Sequence, residues 1–261
     1  MKSSYDSAQN APQFTRFIKT TPRTCGVFGN SFTTYSINTI SMTDKTQFWL
    51  IRHGETAWNA KQRLQGWVDI PLNDAGRQQA ENLQRYLQSK QICSLFDTVI
   101  SSDLGRAKET ATIALQHTDL SITQDERLRE RSYGIYEGEH WRQLMRPVEQ
   151  NNGDSNESTA SPNLRDPNQE VPEGESLLQF QQRIVLAIED LARRHQGQSV
   201  ALFAHGGVID IVWRQTHGLD LYAQRPRPIQ NTSINHFQIQ PISALWAPIE
   251  WEITEHLQPA E

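Results

Sequence analysis

At 261 residues the chain is long enough for one sizeable domain with appendages. Its two cysteines, Cys25 and Cys93, exclude a disulfide framework or a four-thiolate zinc site and fit a reducing, cytoplasmic compartment. A formal net charge of -5 argues against nucleic-acid binding through a basic surface, and no apolar run approaches the roughly 18 residues of a membrane span, so neither nucleic acid nor membrane is an expected partner.

The first 41 residues carry Lys2, Arg16, Lys19 and Arg23 against Asp6, a net of +3 that leaves -8 for the remainder. They are rich in Ser, Thr and Asn, without amphipathic period. A transit peptide, a disordered tail and an upstream extension ahead of a start at Met42 all fit. Residues 1–43 are thus expected to lie outside a domain spanning 44–256. Gln47–Arg52 reads as a buried strand. Asn73 can cap a helix running to about Ser89, with Ala80, Leu83 and Leu87 on one face. Asp97–Ser101 reads as a second strand and Leu104 to about His117 as a second helix. Residues 149–170 are almost devoid of apolar side chains and read as a mobile surface insertion. Ser176–His195 predicts a third helix, with Leu177, Phe180, Ile184, Ile188 and Leu191 at helical spacing. Ser199–Ala204 is another buried strand, Gly207–Thr216 the helix after it, and Ser233–Ile239 and Leu245–Ile253 look like edge strands. The alternation predicts an α/β domain with a mainly parallel sheet.

Three of these strands end in unusual sequences: Arg52-His53-Gly54-Glu55-Thr56, Ser101-Ser102-Asp103-Leu104-Gly105-Arg106 and Ala204-His205-Gly206-Gly207. Ligands of open α/β sheets bind outside the carboxyl ends of the strands. Two arginines, two histidines and the N-termini of the following helices therefore converge on one edge, which suits a phosphate pocket without a glycine-rich P-loop. Taken singly, each histidine reads as a satisfied structural side chain, Arg106 as a surface ion-pair residue, and Gly206-Gly207 as a tight turn. Their conjunction at three strand ends favours the functional reading. Glu130, inside the charged run Asp125–Arg131, reads on composition alone as a surface charge. No His pair with an acidic partner shows metal-ligand spacing, so neither metal nor cofactor is expected.

The ordered set of motifs adds to this. Leu50-Ile51-Arg52-His53-Gly54-Glu55-Thr56 with Trp58-Asn59 is followed by Gln65-Gly66, Asp69-Ile70-Pro71-Leu72 and Ala75-Gly76. Ser101-Ser102-Asp103-Leu104 with Arg106-Ala107 and Glu109-Thr110-Ala111 comes next, then Leu128-Arg129-Glu130, Tyr133-Gly134 and Glu137-Gly138. Pro172-Glu173-Gly174-Glu175-Ser176, Ala204-His205-Gly206-Gly207 and Asn231-Thr232-Ser233-Ile234 complete the order. Over about residues 47–239 the chain resembles the histidine phosphatase superfamily, the phosphoglycerate mutase-like proteins. The resemblance implies a three-layer fold with helices on both faces of the sheet. It implies that His53 is the nucleophile of a phosphohistidine mechanism and Glu130 the acid–base group. Arg52, Arg106 and His205 would hold the phosphate oxygens, with one further donor from Asn59, and Gln65, Gly66, Tyr133 and Gly206 would make weaker substrate contacts. Gly206, where another branch carries Asp, leaves the acid role to Glu130.

The implied partner is a small phosphorylated metabolite, and a homodimer is compatible with the resemblance. Mutases of glycolysis carry His where this chain has Ser132, a substrate lysine at the position of Trp141, and a pair of adjacent arginines absent between Trp141 and Glu175. These departures point to a phosphomonoester hydrolase, with a phosphoglycerate-type mutase as the alternative. A non-catalytic phosphate-binding module would lack His53, Glu130 or a pocket arginine, and all are present.

Overall fold

The computed structural model describes residues 45–144 and 162–257. The expected N-terminal extension and residues 149–161 of the expected insertion lie outside the described residues. In chain order the elements are β1 (Thr46–Arg52), α1 (Ala57–Ala60), α2 (Asp74–Ser89), β2 (Thr98–Ser101), α3 (Gly105–Ala114), β3 (Ile122–Gln124), α4 (Trp141–Leu144), α5 (Leu177–Arg194), β4 (Ser199–Ala204), α6 (Gly206–His217), β5 (Ile234–Gln240) and β6 (Leu245–Ile253). The strands form one sheet in the order β3-β2-β4-β1-β5-β6. The pairs from β3 to β1 are parallel and the last two antiparallel.

The uninterrupted apolar runs of β1 and β4 have a simple cause: both faces of the sheet are covered. Phe48, Leu50, Val200, Leu202 and Ala204 pack with Phe180, Ile184 and Ile188 of α5 and Val208 and Val212 of α6. The alternate residues Trp49, Ile51, Ala201 and Phe203 pack with Leu83 and Leu87 of α2 and Ala111 and Ala114 of α3. Full burial of one such Leu, Ile or Phe is worth about 1.5–3 kcal/mol, so these two layers fix the register of the central strands. The helices begin where the sequence marks them. Asn73 accepts a hydrogen bond from the Gly76 N–H, and Ser176 and Gln179 cap α5 reciprocally. Among the described residues no helix is long and apolar enough to cross a membrane.

Two expectations need correction. β5 is not an edge strand, for it lies between β1 and β6. Its alternating polar residues are used internally: Asn235 donates to the Leu50 carbonyl at 3.2 Å, and the His236 ring stacks on Trp49 at 3.8 Å between centroids. The true edges are β6 and the three-residue β3, which is too short to leave a pattern in the sequence. Finally, residues 162–170 are not a free surface excursion. Leu164 is fully buried in a small cluster with Leu64, Leu144 and Val171, and its carbonyl accepts from Arg131 Nη1 at 2.5 Å.

Candidate active site

The adjacent parallel strands β2, β4 and β1 end together. The His53 N–H donates to the Ala204 carbonyl at 3.0 Å and the Ser102 N–H to the Phe203 carbonyl at 2.9 Å. Pairing therefore sets His53, His205 and Ser102 side by side, with the two imidazole centroids 5.2 Å apart. Both rings are buried.

The turn after His53 is pinned by residues distant in sequence. The Gly54 N–H donates to Thr110 Oγ1 and the Glu55 N–H to Gln79 Oε1, each at 2.9 Å. Asn231 Nδ2 donates to the His53 carbonyl at 2.9 Å. Backbone meets backbone at Gly54, where a Cβ would lie 2.4 Å from the Gly76 carbonyl oxygen. Glycine at both positions is what permits this approach of the loop after His53 to α2. His53 Nδ1 lies 2.7 Å from the Gly54 carbonyl oxygen. A carbonyl can only accept, so Nδ1 carries the ring hydrogen and Nε2 keeps its lone pair.

His205 has the complementary arrangement. Ser102 Oγ accepts from the Leu104 N–H at 3.4 Å, leaving its own hydrogen for His205 Nε2 at 2.9 Å. Nδ1 of His205 is then a donor, and it is buried without a partner. So are Nε of Arg52 and Nε of Arg106. Unpaired buried donors of this kind are costly, by about 1–3 kcal/mol each, and an anion accepting from them would offset that cost. Arg106 is held by the Gly66 carbonyl at 2.8 Å and the Val68 carbonyl at 3.0 Å, with Asp69 at 3.9 Å. Asp69 also accepts from the Gly105 N–H at 2.9 Å, anchoring the start of α3. Arg52 donates to the Ile229 carbonyl at 2.5 Å, and its guanidinium lies against Gly206 at the start of α6. Burial lowers the Arg52 guanidinium to about 10 and also lowers Arg106, while the charge of Glu130 acts against both shifts. Both remain cationic at neutral pH.

Glu130 is thus drawn into the same cluster. Its two carboxylate oxygens accept from the Arg131 N–H at 2.9 Å and the Gly207 N–H at 3.0 Å. A Cβ at Gly207 would fall 2.1 Å from Glu130 Oε1, so the second glycine of the pair is a spatial requirement of the Glu130 carboxylate, not only a turn. Asn59 lies in α1, a few residues after His53. Its Oδ1 takes the Thr56 N–H in a capping box, which leaves Nδ2 as the outward donor. Gln65 is buried and accepts from Thr56 Oγ1 at 2.9 Å, and Gly66 acts through the carbonyl that holds Arg106. The Tyr133 phenol is raised above its ordinary range by burial and then by Glu130. The sequence-derived residues His53, His205, Arg52, Arg106, Glu130 and Gly206 are brought together, whereas Gln65 and Gly66 support them from behind.

Burial, then the charges of Arg106 and Arg52, hold the His53 imidazole well below its ordinary 6.5. Burial, then Arg106, does the same for His205. Burial also lowers His236 to about 4 and lowers His256. These four rings stay neutral in the fold where the unfolded chain would protonate them. Below about pH 6.5 the unfolded state binds more protons, so stability present at neutral pH is lost as pH falls, at about 1.4 kcal/mol per pH unit for each ring until its folded-state value is reached. Unfolding in urea should accordingly give a clearly lower free energy at pH 5 than at pH 7. Equal values would contradict the neutral, buried assignment.

A profile of the family described as "Histidine phosphatase superfamily (branch 1)" matches residues 48–249. The chain belongs to this superfamily. It is 33% identical over 219 residues to phosphoglycerate mutase-like protein 4 of Arabidopsis thaliana, covering 82% of this chain and 88% of that one. Among solved structures it is similar to Bacillus stearothermophilus YhfR, with 28% identity and a TM-score of 0.65 over 82% of this chain and all of the other. It is also similar to a mycobacterial glucosyl-3-phosphoglycerate phosphatase, with 25% identity and a TM-score of 0.63 over 80% and 99% of the two chains. The three-layer, phosphoglycerate mutase-like α/β fold is shared with these neighbours.

Several residues of this superfamily member acquire roles that its sequence did not reveal. Glu137 accepts from the N–H groups of Trp67, Val68 and Tyr133 at 2.8, 3.0 and 3.2 Å and so shapes the loop behind Arg106. Trp67, although 42% exposed, donates Nε1 to the Glu130 carbonyl at 2.8 Å. Arg183 and Glu175 form a partly buried ion pair at 2.7 Å beside the same segment. The string Pro172–Ser176 did signal Glu175, but no periodicity could have linked it to Arg183.

Proposed function

We propose that the chain is a phosphomonoester hydrolase acting through a covalent phosphohistidine. The observation that carries this reading is the orientation of His53: its Nδ1–H is fixed on the Gly54 carbonyl, and its lone-pair Nε2 is left for attack among buried cations. In the first step Nε2 attacks phosphorus in line, the bond from phosphorus to the leaving oxygen breaks, and the Glu130 carboxyl gives that oxygen its proton. Arg52, Arg106, Nδ1–H of His205 and Nδ2 of Asn59 take the three equatorial oxygens, where charge accumulates. In the second step the Glu130 carboxylate removes a proton from water, which attacks the phosphohistidine and releases inorganic phosphate, returning His53 to its neutral form. In this scheme the arginines supply the positive charge, and the substrate is a small phosphorylated metabolite.

Two residues support hydrolysis over mutase chemistry. The Ser132 N–H is committed to Glu175 at 3.0 Å, and Trp141, with Arg142 over its ring at 5.6 Å, offers an indole where a mutase has its lysine. An indole has one N–H donor and no charge, so it cannot neutralise a substrate carboxylate. The mutase reading is favoured by the name of the Arabidopsis relative and hydrolysis by that of the mycobacterial neighbour. The two are separated by giving the protein 3-phosphoglycerate with a trace of 2,3-bisphosphoglycerate and following both products. Release of phosphate from several phosphomonoesters, an aryl phosphate included, with no efficient isomerisation is the expected result. Efficient formation of 2-phosphoglycerate without phosphate release would replace hydrolase by mutase and leave the His53 chemistry in place.

A further inference from the structure

The acid–base group stands on chain that has no regular structure of its own. Glu130 lies between two single 3-10 turns, Glu126–Leu128 and Gly134–Tyr136. One of the two N–H groups that orient its carboxylate belongs to α6 and the other to its own segment. The aim of the carboxylate therefore depends on where the backbone of residues 127–132 is held relative to α6.

Arg183, on α5, does much of that holding. Its Nη1 donates to the carbonyls of Arg127 and Arg129 at 2.7 and 3.1 Å, and its Nη2 to the carbonyl of Glu130 at 3.1 Å. Its Nε and Nη2 also grip the two oxygens of Glu175, each at 2.7 Å. Glu175 Oε2 in turn accepts from the Ser132 N–H at 3.0 Å. One ion pair thus fixes peptide groups of residues 127, 129, 130 and 132. From the other side Trp67 Nε1 donates to the same Glu130 carbonyl, and the guanidinium of Arg129 lies over the Trp67 ring at 4.9 Å. A salt bridge that merely joined two elements would not direct its remaining donors to three carbonyls of the segment bearing the acid.

We propose that Arg183 and Trp67 are positioning residues that clamp the Glu130 peptide, so that proton delivery to the leaving group depends on them while phosphate binding does not. This rests on the reading of Glu130 as the general acid. Its consequence is a dependence on leaving group. A poor leaving oxygen needs a proton as the bond to phosphorus breaks, whereas 2,4-dinitrophenolate departs without one.

The test uses the full chain and compares kcat/KM for 2,4-dinitrophenyl phosphate and phenyl phosphate in Arg183→Lys, Trp67→Phe and Glu130→Gln. Lysine keeps the ion pair with Glu175 but lacks the fork that spans the carbonyls. Phenylalanine keeps an apolar ring and removes the indole N–H. In each positioning variant the ratio of the two values should rise about tenfold or more in favour of the dinitrophenyl ester, in the direction of a larger rise in Glu130→Gln. A rise in Glu130→Gln with an unchanged ratio in Arg183→Lys and Trp67→Phe would overturn the clamp and leave the general acid standing. No rise in Glu130→Gln would remove the general-acid reading, and the clamp with it. Should Arg183→Lys lose its thermal transition, the exposed Trp67→Phe carries the same comparison without disturbing the core.

Discussion

His53→Ala should reduce turnover of any phosphomonoester to below about one ten-thousandth of the parent rate, because the proposed nucleophile of the first half-reaction, which is the leaving group of the second, is lost. The fold should survive. The ring is buried but uncharged, it hydrogen-bonds to the neighbouring Gly54 carbonyl, and the turn keeps its anchors on Thr110, Gln79 and Asn231. Rapid alkaline quench of the parent protein with a labelled phosphomonoester checks the chemistry directly, since a phosphohistidine is labile in acid and survives base. Label confined to His53 is the expected result. Substantial activity in His53→Ala, or label elsewhere, would refute the assignment.

Arg106→Ala should lower kcat/KM by about two to three orders of magnitude, roughly 3–4 kcal/mol of transition-state stabilisation. The reasoning is geometric. The guanidinium is fully buried and gripped by two carbonyls, so its direction is set before substrate arrives, and its Nε has no partner. A pre-aimed cation in a buried site loses little to reorganisation when charge spreads over the phosphoryl oxygens. Arg106→Lys should recover only part of the loss, since an ammonium cannot hold both carbonyls and still present a flat donor edge. Steady-state kinetics on both variants, with thermal melts alongside, provide the check. A loss smaller than about tenfold in Arg106→Ala would place the residue outside the transition-state shell.

Much of this was legible in the sequence for identifiable reasons. β1 and β4 are covered on both faces, and their apolar runs say so. Asn73 and Ser176 cap the helices they precede. The strand-end strings around His53, Arg106 and His205 are conspicuous because charged and imidazole groups directly follow buried residues. What escaped was whatever works through backbone atoms or long-range company. β5 alternates polar and apolar residues like an edge strand, yet its Asn235 and His236 find partners on β1. Leu164 sits in a polar stretch and packs with residues far away in the chain. Arg183 and Trp67 reach the carbonyl of Glu130, and a carbonyl carries no side-chain identity for a sequence pattern to register.

The hydrogen bond from His53 Nδ1 to the Gly54 carbonyl bears on the range of conditions in which the proposed nucleophile can work. In catalytic pairs where a carboxylate orients imidazole, the orienting group itself titrates and stabilises imidazolium, so basicity and tautomer change together. A peptide carbonyl does not titrate, and its upward pull on the imidazole is outweighed by burial and then by the charges of Arg106 and Arg52. It holds the tautomer at every pH at which the chain is folded and adds no negative charge that would attract a second proton. With Arg52 and Arg106 also opposing protonation, the ring remains an uncharged nucleophile in moderately acidic solution. The limit on the acid side is then not set by the supply of free imidazole.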